Sequence, residues 1–408
     1  MGGNALSVTA VRLTKKNFER VSVECLARLQ AALPESRIAI IPSYRGKADF
    51  GDCDILVSAT GYDRAKAAAA LDATEVVPNG PTTSVGIVVR EELGAVGGNV
   101  FQVDLIEIED EAFDYAFNYF AMNDTGNLIG RTAHRAGLAH KHNGLFYFVR
   151  DGSHMYREIC LTRDYDQALR FLGYDPEQFH AGFDTLEDIF KYIAGSTYFN
   201  RDIFLLENRN AKSRIRDRKR HTYMSFLAWC EARPDLPAYQ YPENKAEWLP
   251  SISAHFSHFQ GEYQQALQDK ADDARVKERY SGKWVASMTG LEGKALGALM
   301  SNIKASFESL DAMRAFILTS TDAQLAERVY TVQAALAADP TSGVPAPLDS
   351  YEQWHAWRIG RDSRQAGTSA EQAVERLCSV FPQASQRVYF DAGFAGQDCP
   401  APTAPNPV

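Results

Sequence analysis

The chain has 408 residues, enough for two or three domains at roughly 150 residues each. Apolar residues make up 45% and charged residues 23%, a globular balance that excludes a mainly disordered, fibrous or collagen-like chain. The net charge of −9 excludes bulk attraction to nucleic acid, so any such partner must be held by a local basic face.

Thr14 to Leu33 reads as a helix, with Phe18, Val21, Cys25, Leu29 and Leu33 at helical spacing, Thr14 as N-cap and Pro34 as the stop. Arg37–Pro42 is expected to be a buried strand, Ser43–Gly51 a polar loop and Asp52–Ser58 a second strand. Tyr62–Leu71 reads as an alanine-rich helix, and Ser84–Arg90 and Asn99–Ile108 as strands. Asp110–Met122 and Gly126–Gly137 read as helices, Leu145–Val149 and Tyr156–Leu161 as a small sheet, and Tyr165–Leu172 as a short helix. From about Thr185 the pattern turns helical: Leu186–Ala194, Asn208–Glu231, His255–Glu278, Lys294–Leu310, Ala323–Ala338 and Ser350–Arg361. An α/β (α+β) domain over 1–180 is therefore expected, followed by an all-α domain over 181–395 and a proline-rich disordered tail over 396–408.

No run approaches the ~18 apolar residues of a membrane span. The N-terminus lacks the basic-then-apolar order of a secretory leader. Cys25, Cys53, Cys160, Cys230, Cys378 and Cys399 form no C-x-x-C pair, which suits free thiols in a reducing cytoplasm rather than a disulfide scaffold or zinc site. A cytoplasmic protein without a membrane partner is expected.

The informative segment is IPSYRGKADFGDCDILVS, residues 41–58. Period-2 geometry places Asp52 and Asp54 on one strand face, and adjacent buried carboxylates are costly unless a cation neutralises them. Asp104 lies between apolar residues in FQVDLI on another expected strand. If those strands are neighbours, three carboxylates converge, a set suited to two hard cations about 3.5–4 Å apart and to in-line phosphoryl displacement. The loop just upstream offers a hydroxyl, Arg45, Lys47 and two glycines for gripping a polyphosphate.

SYRGKADFGDCDILV resembles the signature of the DNA polymerase beta nucleotidyltransferase superfamily, and within it most resembles the family-X DNA polymerases (Gly-Ser-(Phe/Tyr)-Arg-Arg-Gly-Lys, a short loop, Gly-Asp-apolar-Asp). Downstream, AFNYFAMNDTGNLIGRTAHRAGL is similar to that family's Tyr-Phe-Thr-Gly-Ser helix region, with Asn127 and Arg131 at the family's spacing, and RDYDQALRFLGYDP is similar to its closing segment. The likeness spans about residues 37–178. It implies a palm-like part (1–110) and a nucleotide-closing part (111–180). It also implies two Mg²⁺ ions (Mn²⁺ as a substitute) on Asp52, Asp54 and Asp104, with Asp104 assisting deprotonation of a 3′-hydroxyl. Ser43, Arg45 and Gly51 would contact the triphosphate of an NTP or dNTP, with Lys47 a further phosphate ligand from its charge. Tyr119 and Phe120 would line the sugar pocket, and Asn127 and Arg131 would reach the base. Pro42 stands in place of the motif's first glycine, one of its two arginines is missing, and Ala121 and Met122 replace Thr-Gly. The short stretch before residue 37 leaves no room for the lyase and DNA-binding helices of repair polymerases, so gap repair is not expected.

Asn208–His221 holds seven Lys/Arg against one acid. As one helix it would align Arg209, Lys212, Arg216 and Lys219 or Arg220 into a stripe for a phosphate backbone. Ser281–Ile303 carries G-L-x-G-K-x-L-G-x-L; it loosely resembles a helix-hairpin-helix and the RNA-binding end of bacterial tRNA nucleotidyltransferases and poly(A) polymerases. That likeness implies Gly290, Gly293 and Lys294 as contacts. The expected activity is transfer of a nucleoside monophosphate from an NTP or dNTP to the 3′ end of a polynucleotide (tRNA-like RNA or DNA), releasing pyrophosphate. The alternatives are nucleotidylation of a protein or small-molecule hydroxyl, and a non-catalytic nucleic-acid-binding module.

Overall fold

The computed structural model describes residues 4–89, 99–238, 245–344, 351–380 and 387–397. Strand β1 (Leu13–Thr14) leads into helix α1 (Lys15–Ala32), followed by β2 (Ile38–Ile40), β3 (Asp49–Phe50), β4 (Asp52–Ser58), α2 (Arg64–Ala70), the hairpin β5 (Glu75–Asn79) to β6 (Thr82–Val88), and β7 (Val100–Ile108). β1 and β3 form a small antiparallel pair; the other five strands make one mixed sheet in the order β2-β4-β7-β6-β5. Only the central β4–β7 pair of this sheet is parallel.

Alternation along these strands sorts the sheet into two faces. Cys53, Ile55, Val57, Val103 and Leu105 pack with Val21, Cys25 and Leu29 of α1 and with Ala67 of α2. Leu56, Ile106 and Ile108 point the other way, against Phe113 and Ala116 of α3 (Phe113–Phe120). Asp52, Asp54 and Asp104 belong to this second face by parity. They occupy the part of it that leads away from the α3 packing.

After α3 come α4 (Thr125–Arg135), the antiparallel sheet β8 (Leu138–Lys141), β9 (Gly144–Asp151) and β10 (His154–Thr162), then α5 (Tyr165–Phe171), α6 (Pro176–Ala181), α7 (Leu186–Ala194), α8 (Ala211–Arg218), α9 (His221–Glu231), α10 (Leu249–His255) and α11 (Phe259–Arg279). A single apolar core runs from Tyr115 to Ala266 and includes Leu128, Leu145, Leu169, Ile189, Phe204, Phe226 and Phe259. The chain accordingly divides into compact units 1–266 and 267–408, with the division inside α11. The boundary thus lies at 266, not near 180: the helices of 186–266 complete the core begun by α4 and α5, which a change of pattern along the sequence cannot reveal. The second unit is helical among its described residues: α12 (Gly282–Thr289), α13 (Gly293–Ala305), α14 (Leu310–Thr319), α15 (Asp322–Ala337), α16 (Tyr351–Gln365), α17 (Ala370–Val380) and α18 (Arg387–Ala395). No described helix is long and apolar enough to cross a membrane. From residue 398 the expected disordered tail, with Cys399, lies outside the described residues, as does Arg90 of an expected strand.

The expected helix Asn208–Glu231 is two helices, α8 and α9, meeting at Lys219–Arg220. Its organising contact is buried. Arg209 (7% exposed) forms an ion pair at 2.6 Å with Asp217 (0% exposed). Arg214 meanwhile spends its guanidinium on the carbonyls of Leu206 and Arg209. Removing one partner of a buried pair strands the other charge. Asp217→Ala is expected to destabilise the first unit by about 3 kcal/mol in urea unfolding, and adding Arg209→Gln to cost less than the sum of the two single changes.

Candidate functional site

The parallel register of β4 and β7 sets Asp52 opposite Gln102 and Asp54 opposite Asp104. One ligand atom each from Asp52, Asp54 and Asp104 lies within 4.8 Å of the others. Among the described residues no Lys or Arg forms an ion pair with any of the three. The compensating charges are Lys47, which acts on Asp52 and Asp54, and Arg12, which acts on Asp52. Asp54 opens onto the cleft yet sits deep among protein atoms, and desolvation, then Asp52 and Asp104, pushes its carboxyl up to about 7. Desolvation also raises Asp104, opposed by hydrogen bonds from Ser84 and Gln102.

Gln102 also belongs to this site. It is buried, its amide nitrogen donates to both Asp104 oxygens at 2.9 and 3.0 Å, and its own oxygen accepts from the Ala5 backbone N–H at 2.9 Å. The Ala5 contact orients the amide and aims its N–H at the carboxylate. The signal was present: Gln102 lies two residues before Asp104 on the same strand, hence on the same face.

An all-oxygen set of three carboxylates without a resident cationic partner fits hard divalent cations such as Mg²⁺, which leave further coordination positions for water and phosphate. The triad could hold such an ion.

The cleft of about 530 Å³ beside the triad is lined by Ser43, Lys47, Asp52, Asp54, Tyr119, Phe120, Asn123, Asp124, Asn127, Arg216, Lys219 and Arg220 among others. Lys47 lies 4.4 Å from the Phe50 ring centroid and reaches Ser43 Oγ at 3.4 Å. Its burial lowers its pKa while Asp52 and Asp54 raise it. Tyr119 meets Phe120 edge-on at 5.2 Å, and Phe120 stacks on His142 at 6.0 Å. The turn between α3 and α4 holds Met122 and Asn123 at φ 56° and 62°, a left-handed conformation that costs non-glycine residues about 1–2 kcal/mol each. It is pinned by Met122 N–H donating to Pro42 O at 2.8 Å. Asn123 Oδ1 and Asn127 Nδ2 are buried without a hydrogen-bond partner among the described residues.

Several expected contacts fall elsewhere. Arg45 does not line the cleft: it binds Asp184 Oδ1 at 2.5 Å and Ala181 O at 2.8 Å, while Gly46 N–H donates to Asp184 O at 2.7 Å. A Cβ at Gly46 would stand 2.6 Å from that carbonyl oxygen, so glycine is needed here for close approach, not for a phosphate. Gly51 is buried between β3 and β4, also outside the cleft lining. Arg131 is buried and donates to the Ile203 carbonyl, so it tethers the core and does not reach the cleft. Arg209 is buried, and Lys212 is exposed on α8 away from the cleft lining. In place of one stripe, Arg216, Lys219 and Arg220 turn into the cleft. Gly290 (φ 69°) ends α12 and Gly293 (φ 54°) opens α13; with Lys294 they form a helix–turn–helix in the second unit.

No protein-family model and no curated protein matches the chain.

A carboxyl raised from 3.8 to about 7 binds a proton that the unfolded chain has released, so metal-free stability falls as pH rises across that window. A divalent cation needs the ionised form, so its affinity rises with pH through about 7. Asp54→Asn is therefore expected to raise the metal-free melting temperature at pH 8 by about 2–4 °C, discounted for the open face of Asp54, with no gain at pH 4. Millimolar MgCl₂ is expected to stabilise the natural protein and not the variant; differential scanning fluorimetry at the two pH values checks both.

Proposed function

We propose that this protein is a metal-dependent nucleotidyltransferase, moving a nucleoside monophosphate from an NTP or dNTP onto the 3′-hydroxyl of a polynucleotide with release of pyrophosphate. The observation that carries this reading is the juxtaposition of Asp52, Asp54 and Asp104 across the parallel β4–β7 pair, with ligand atoms within 4.8 Å. The resemblance of residues 37–178 to family-X DNA polymerases supports it. So do the Ser43 and Lys47 side chains beside the triad, and the unpartnered Asn123 and Asn127 atoms in a cleft of nucleotide size.

On this reading Asp52, Asp54 and Asp104 hold two Mg²⁺ ions, which when bound supply the positive charge that neutralises the triphosphate and the reacting oxygens. Ser43 and Lys47 grip the triphosphate by a hydroxyl and a point charge. Tyr119 and Phe120 form the apolar wall for sugar and base. The acceptor oxygen attacks the α-phosphorus in line, and the bond from that phosphorus to the α–β bridging oxygen breaks. Pyrophosphate leaves with the electron pair, and an Asp104 oxygen takes the hydroxyl proton. Gln102 holds that carboxylate through both of its oxygens.

The test is incubation with each labelled NTP and dNTP, Mg²⁺, and a panel of tRNA, single-stranded DNA and primed DNA. Mg²⁺-dependent extension of at least one polynucleotide is expected, and Asp104→Asn should lower its rate by about 10²–10³-fold. Label appearing only on protein would replace the polynucleotide acceptor, and the absence of any transfer would overturn the reading.

A further inference from the structure

Seven cations crowd Arg209–Arg220 in a chain of net charge −9, and the fold sorts them into three groups, of which Lys212 and Arg218 stay exposed outside the cleft lining. Arg209 and Arg214 are consumed inside the protein, on Asp217 and on main-chain carbonyls. Arg216, Lys219 and Arg220 line the cleft where α8 meets α9. Together with Lys47 they set four cations against Asp52, Asp54 and Asp124 in the cleft wall. The corner is docked on α4 and on the buried Asp217: Arg216 donates to Asn127 Oδ1 at 3.3 Å and pairs with Asp217 at 3.1 Å, and Arg220 pairs with Asp124. Lys219 is exposed and makes no ion pair among the described residues.

The cations sit at different parts of the cleft lining: Arg216 and Arg220 lie against Asn127 and Asp124, whereas Lys47 lies beside Ser43 in the loop after β2. A positive wall along a groove is the arrangement by which proteins track the backbone of single-stranded nucleic acid.

We propose that the α8–α9 corner of Arg216, Lys219 and Arg220 grips the backbone phosphates of a single-stranded polynucleotide acceptor, and that an arriving phosphate competes with Asn127 for Arg216. The assignment deepens the nucleotidyltransferase reading and rests on it for the word acceptor. It places the grip in the cleft, on helices beyond the stretch that resembles the polymerases.

The experiment measures two affinities in the full chain: a fluorescent single-stranded 12-mer by anisotropy, and a fluorescent ATP analogue with Mg²⁺. Arg216→Gln with Lys219→Gln is expected to weaken 12-mer binding about tenfold or more. The salt slope should become shallower by about 1.4, the loss of two single-strand phosphate contacts, with ATP affinity held within twofold. Lys219→Gln alone, which breaks no ion pair, should carry about half of the slope change. Lys212→Gln with Arg218→Gln, on the exposed part of α8, should leave both affinities within twofold. The proposal is overturned if the natural protein binds no 12-mer, if the corner variants bind it normally, if the Lys212/Arg218 variant is the one that loses it, or if the corner variants lose ATP instead. Corner-dependent binding of the 12-mer without any Mg²⁺-dependent ATP binding would instead sink the nucleotidyltransferase reading and leave the polynucleotide grip standing.

Discussion

The parallel pairing of β4 with β7 is the constraint on which the rest of this molecule depends. It sets Asp54 directly against Asp104, with Asp52 one pleat away. No side chain would adopt that grouping on electrostatic grounds, since each carboxylate raises the cost of ionising its neighbours. The register is nevertheless held, because both faces of these strands are committed. A slip of one residue would drive the aspartates into the packing against α1 and turn Cys53, Ile55 and Val57 toward α3. The apolar faces thus enforce a charge cluster that a divalent cation would relieve.

The surroundings are braced by main-chain contacts, which frees side chains for chemistry. The loop after β2 is tied to the segment after α6 through Arg45, Gly46 and Asp184, and to the α3–α4 turn through Pro42 and Met122. With its backbone anchored on two sides, the loop leaves Ser43 and Lys47 to line the cleft. Two adjacent non-glycine residues with positive φ, Met122 and Asn123, are retained at the same place. Such strain persists where surrounding structure over-determines it, and it clusters at functional sites.

The basic segment illustrates how burial redistributes charge. Arg209 and Asp217 form an internal strut, and the helix breaks beyond it at Lys219–Arg220. At the break, Arg216, Lys219 and Arg220 line the same cleft as Asp52 and Asp54. An acidic chain thereby gains a local positive wall where an anionic ligand would need one, a matter of placement and not of composition.

Much of this was legible in the sequence because it depends on short-range periodicity. Alternation identified β4, β6 and β7 and put Asp52 and Asp54 on one face; helical spacing identified α1, α4, α5 and α7; the mixed α/β class followed from their order. Gln102 could have been found by the same parity. What escaped depends on partners distant along the chain. Short strands such as β1, β3 and β5 exist only because a neighbour pairs with them. The unit boundary at 266 reflects a core shared by helices far apart in sequence. Arg45, Arg131 and Arg209 look like ligands for phosphate or base until their partners at Asp184, Ile203 and Asp217 are known. The sequence alone determined which carboxylates could share a strand face, since side-chain alternation is local. Only the tertiary structure decided that β4 and β7 are neighbours in register, and which arginines are spent inside the protein, because pairing and burial are set by contacts that no local pattern encodes.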